Sequence, residues 1–138
     1  MLRNVISVII GLVASFAIII IMEKLGDNIY PMPANFDIKN QDAIKTFITN
    51  APAILHLMIL FAYALSSFVG GLIASMVAVD KKITKAITVG GILMGLGMYS
   101  LISLHPGWVV FAGVFAFLPF AYFGGKLGLR FSVKKYKN

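Results

Sequence analysis

Four long apolar stretches free of Asp, Glu, Lys and Arg run through the chain, and nearly every charge falls in the connectors between them. A helix rising ~1.5 Å per residue needs about 20 apolar residues to cross ~30 Å of hydrocarbon. The pattern therefore predicts an all-α, polytopic membrane protein with four transmembrane helices, at about residues 5–22, 55–79, 86–104 and 108–126. These form a single transmembrane domain over 1–138, with a loop at 23–50 and a basic tail at 129–138. The first stretch exceeds the ~7–15 residues of a signal-peptide core and no small-x-small cleavage site follows it, so it is expected to be retained.

Within the long connector, Tyr30, Pro31, Met32 and Pro33 predict extended or turned backbone, because proline fixes φ and disfavours helix at the residue before it. From Gln41 the helical pattern resumes. Asn40 is a suitable cap and Asp42 sits in the first turn, while Ile44, Phe47, Ile48 and Ala51 share one face. Such a short amphipathic helix either lies in the membrane interface or forms a lid over the bundle.

The charges orient the spans. One set of connectors holds Arg3, Lys81, Lys82, Lys85, Lys126, Arg130, Lys134, Lys135 and Lys137 against Asp80 alone; the other pits Lys24, Lys39 and Lys45 against four acids. The two sides carry net +8 and −1, which together give the chain its +7. The positive-inside rule then places both termini in the cytoplasm, with the 23–50 loop outside. The basic residues are expected to set topology and meet lipid headgroups, not nucleic acid. Composition agrees: 59% of residues are hydrophobic and 12% charged, where a soluble domain carries roughly a quarter. Cysteine is absent, which excludes disulfides, thiolate catalysis and cysteine-ligated metals.

Small residues recur at intervals of four: Ser66, Gly70 and Ala74 beside Ser67, Gly71 and Ser75, then Gly91 with Gly95, and Gly124 with Gly128 next to Gly125. Small-xxx-small faces let helix backbones approach closely, and their number predicts self-association or docking into a larger membrane complex. With an offset of 54, Phe61, Ala62, Gly70 and Gly71 align with Phe115, Ala116, Gly124 and Gly125, a candidate parallel repeat of two-helix units. Pro119 near the middle of the last span removes a backbone donor and predicts a kink.

The spans hold serines and threonines but no carboxylate or lysine at mid-depth, which argues against a proton pump built on an intramembrane acid. Candidate chemistry lies at the outer rim. Glu23 closes the first span, His56 precedes the apolar part of the second, and His105 stands in the turn His105, Pro106, Gly107, Trp108. A carboxylate and two imidazoles at one level would suit a metal or a proton relay if they converge; otherwise they are three independent interfacial residues. No metal-binding spacing supports convergence, and no cofactor is expected.

Glu23, Tyr30 with Pro31 and Pro33, the Gly70 and Gly71 pair, and His105 with Pro106 and Trp108 resemble the layout of small uncharacterised four-helix inner-membrane proteins of bacteria. The resemblance covers most of the chain and implies a bacterial cytoplasmic-membrane address without an activity. Small four-helix multidrug exporters differ: their essential glutamate lies inside the first span, whereas Glu23 stands at its outer end. Three functions follow in order of expectation. The first is a non-catalytic subunit that self-associates or serves a complex, the second a passive or weakly coupled small-solute carrier or channel, and the third a membrane enzyme or metal site using Glu23, His56 and His105.

Overall fold

The computed structural model describes residues 1–135, with side chains through Val133. Five helices follow one another: α1 (Leu2–Ile29), α2 (Gln41–Thr49), α3 (Ala53–Val77), α4 (Lys82–Leu104) and α5 (Gly107–Lys135). Four are long and apolar enough to cross a membrane, and the chain is an integral membrane protein of helical-bundle type. The helices outrun the expected spans. α1 continues past Met22 to Ile29, so Glu23 and Asp27 stand on a helix face instead of in a loop. α5 likewise carries the expected tail as helix as far as Lys135 and runs through Pro119 without a break. Lys137 lies outside the described residues, as do the side chains of Lys134 and Lys135.

The interior is built from serines, small residues and a few large apolar side chains such as Leu93, Leu101 and Phe117, while many other large apolar side chains face outward. Ser7, Ser15, Ser66, Ser67 and Ser75 are buried, whereas Leu57, Phe61, Leu96, Phe111 and Phe123 are exposed. That distribution suits lipid, where apolar surface gains nothing from burial and small polar residues serve as contacts between helices.

α3 is the axis of assembly. Its Ser66, Gly70 and Ala74 face meets α1, where the Ser15 hydroxyl donates to the Ser66 carbonyl at 2.9 Å and to Gly11 of its own helix at 2.9 Å. Gly71 and Ser75, one residue round, meet α5: Gly71 faces the Ala121 backbone, and Ser75 donates to the Gly125 carbonyl at 2.8 Å. From α5, Gly124 and Gly128 return against Phe68 and Leu72, while Gly125 turns to Ala86 of α4. α3 and α5 run in the same direction, since Tyr63 stacks on Phe117 at 5.0 Å and Ser132 reaches Met76 further along. The glycines matched by the 54-residue offset do not share neighbours, because Gly70 packs on α1 and Gly124 on α3.

Gly91 and Gly95 take no part in close packing within the bundle: a Cβ on either would meet open space. The inward face of α4 is fixed by Ala86, Val89, Gly90, Leu93 and Leu101, which are buried, and Gly97 continues it against Phe117. A step of one residue turns a helix by ~100°, so Gly91 and its i+4 partner point away from that face.

At the basic end α1 is fastened to the α3–α4 turn. Arg3 donates from Nε to the Val77 carbonyl at 3.2 Å, and Asn4 Oδ1 accepts from the amides of Val79 and Asp80 at 3.1 and 3.3 Å. Lys81 closes this turn with φ of 45°, an uncommon left-handed conformation for a side-chain-bearing residue.

Gly70→Ala should lower the free energy of reversible unfolding in mixed micelles by ~1–3 kcal/mol. The new methyl group would strike the Ser15 hydroxyl and sit 2.8 Å from the Gly11 carbonyl oxygen. Gly91→Ala, which meets open space, should stay within ~0.5 kcal/mol of the parent.

Candidate functional site

One face of α1 carries Ser7, Gly11, Ser15, Ile19, Glu23 and Asp27 at successive intervals of four. Over the first half the side chains are small and α1 lies directly on α3. Over the second half they are long or charged, and the helices part around a cavity of about 390 Å³. α1 contributes Ile19, Met22, Glu23, Gly26 and Asp27; α3 contributes Leu55, His56, Met58, Ile59, Ala62 and Tyr63; Ser100 and Leu104 come from the end of α4, and His105 from just beyond it. Tyr30 and Met32 border it from the connector, and Phe47, Ile48 and Ala51 from the amphipathic segment. No described residue of α5 takes part, and Pro119 does not line it.

The amphipathic segment is held locally. Asn40 Oδ1 accepts from the amides of Asp42 and Ala43 at 3.1 and 3.2 Å, capping α2. Phe47 packs against Tyr30 and Phe36 at ring separations of 4.9 and 5.2 Å, which turns its face toward the cavity.

Glu23, His56 and His105 all border this one cavity. The two imidazoles meet edge to face at 5.7 Å, and Trp108 stacks on His56 at 5.8 Å. Glu23 does not join them as a third metal ligand: among the described residues no three His, Cys, Asp or Glu side chains are grouped to hold an ion. What stands out is unmet hydrogen bonding. His56 is 2% exposed; its Nδ1 lies 3.3 Å from the Pro52 carbonyl, and its Nε2 is buried without a partner. Both ring nitrogens of His105 are also buried and unpartnered. Each such group costs ~1–3 kcal/mol relative to a satisfied one.

His105 lies just beyond α4, and burial pushes its pKa below the ordinary 6.5. The neighbouring His56 adds to that shift, while the Ser100 carbonyl approaches and partly offsets it without meeting hydrogen-bond geometry.

Asp27 and Tyr63 belong to the site although the sequence did not single them out. Asp27 continues the four-residue spacing of Ile19 and Glu23, and Tyr63 lies two turns along α3 from His56. The Asp27 signal depends on α1 being longer than its apolar stretch, whereas Tyr63 lies inside the expected second span.

A pH dependence follows from His105. In the unfolded chain it takes up its proton near pH 6.5, before the folded chain does. Its contribution to stability is therefore fully present above that pH and is lost as the pH falls toward the lower folded value. The unfolding midpoint should drop between pH 7.5 and 5.5, and His105→Phe should flatten the drop. Comparison of the chain with protein-family models, with curated proteins and with solved structures finds no match.

Proposed function

We propose that the chain is a multi-pass protein of a bacterial cytoplasmic membrane that binds a small solute in the cavity at the outer end of its bundle. Both termini are cytoplasmic, and the protein serves as a binding protein or passive carrier rather than an enzyme. The observation that carries this reading is the cavity itself: about 390 Å³, largely apolar, with two carboxylates at its wall and two imidazoles that carry unpartnered ring nitrogens. Such a volume and mixture of walls suit a small-molecule site. Charge supports the orientation, with net +8 on the terminal side and −1 on the cavity side. Binding is favoured over catalysis because, among the described residues, neither imidazole is hydrogen-bonded to a hydroxyl or carboxylate that it would activate or be oriented by.

Absence of cysteine makes a direct test available. Ala62→Cys places a thiol in the cavity wall. In spheroplasts it should react with impermeant thiosulfonates, a trimethylammonium reagent outpacing a sulfonate reagent at least about threefold once both are normalised to free cysteine. Lys82→Cys should react only after permeabilisation. An unreactive Ala62→Cys, or equal reaction of Lys82→Cys in intact spheroplasts, would refute the proposal.

A second reading, self-association, rests on Gly91 and Gly95. Most of the other small-residue faces are spent within the bundle, whereas these two face open space. They offer a small-xxx-small surface to another copy. Gly91→Leu with Gly95→Leu should abolish a dimer detected by light scattering in mild detergent. A wild-type protein that is monomeric at every protein-to-detergent ratio would end this reading.

A further inference from the structure

Electrostatics and hydrogen bonding at the cavity narrow what it can take. Glu23 and Asp27 stand one turn apart on α1, and among the described residues no lysine or arginine borders the space. An anion would meet repulsion with nothing to offset it, while a cation would be drawn in.

The orphaned imidazole adds a second, independent constraint. The Pro52 carbonyl can only accept, so its 3.3 Å contact with His56 Nδ1 is a hydrogen bond in the neutral tautomer that carries the ring proton on that nitrogen. Nε2 is left with a lone pair, buried and without a donor, on a side chain that lines the cavity. Its complement is an N–H or O–H group. The walls beyond it, among them Ile19, Met58, Ile59 and Leu104, are apolar and suit a hydrocarbon body.

We infer that the cavity receives a primary or secondary ammonium group attached to an apolar body, with an N–H donated to His56 Nε2, the charge balanced by Glu23, and the body lying against the apolar walls. The inference rests on the solute-binding reading and names its ligand class. A quaternary ammonium satisfies the charge but leaves Nε2 unpaired; a neutral alcohol satisfies Nε2 but wastes the carboxylates. The ammonium comes either from a free amine or from the ethanolamine headgroup of a lipid, which offer the same chemistry.

Trp108, the only tryptophan, stacks on His56 and reports occupancy by its fluorescence. The full chain in nanodiscs of phosphatidylcholine and phosphatidylglycerol, which lack amine headgroups with N–H donors on a single positive nitrogen, is titrated at pH 7.5 with phenethylamine, its trimethylammonium analogue and phenylacetate. Phenethylamine should give a saturable change, the trimethyl analogue should bind at least about tenfold more weakly for want of the charged hydrogen bond, and phenylacetate should not bind. Glu23→Gln should weaken phenethylamine several-fold, and Ala62→Phe, which fills the space, should abolish the response. Phosphatidylethanolamine added to the discs should compete only if the headgroup is the natural occupant; competition identifies the lipid source and its absence the free amine, and either upholds the inference when the amine order holds. Equal or tighter binding of the trimethyl analogue overturns the inference while leaving solute binding intact. Saturation by zinc chloride without any amine response overturns it in favour of a metal. No response to any probe, together with an unreactive Ala62→Cys, removes both the inference and the reading beneath it.

Discussion

With hydrocarbon around them, helices gain nothing by hiding apolar side chains from one another, and the bundle depends on close approach of backbones at small residues. α3 supplies two adjacent small faces, one for α1 and one for α5. Because Gly70 and Gly71 are neighbours in sequence, they point ~100° apart, and that angle sets where α1 and α5 stand around α3. The remaining helix, α4, closes against α5 and α3, leaving its seam with α1 the most open part of the ring.

The same constraint produces the cavity. Along the α1 face, the change from Ser7, Gly11 and Ser15 to Ile19, Glu23 and Asp27 is a change in how near a neighbouring backbone can come. Where it is near, the Ser15 hydroxyl bonds across the gap and no room is left for a ligand. Where it is not, the gap must be lined, and α3, α4 and the amphipathic segment supply the lining. Packing and binding are thus two halves of one helix face, divided near Ile19.

Much of the architecture was legible in the sequence because lipid imposes a length and a polarity on each span. The Ser66, Gly70 and Ala74 stripe could be read as a contact face, since spacing by four is the geometry of a helix surface. Spacing alone did not say which glycines of α4 face inward: Gly91 and Gly95 form the tidier pair, yet the larger apolar residues around Gly90 decide the rotation. The meeting of His56 and His105 was legible only as a shared level, because their lateral separation depends on which helices are neighbours. Asp27 was hidden for another reason. Charged residues past an apolar run read as loop, although a helix continues as long as its backbone hydrogen bonds are met.

Asn4 and Arg3 give the fold a temporal order. The groups they bind, on Val77, Val79 and Asp80, lie more than seventy residues later in the chain. Its close backbone contact at Gly11 and Gly70 is likewise with a later segment. These contacts can therefore form only after α3 and the start of α4 have been made, and until then the Ser15 hydroxyl has only the Gly11 carbonyl of its own helix to bond.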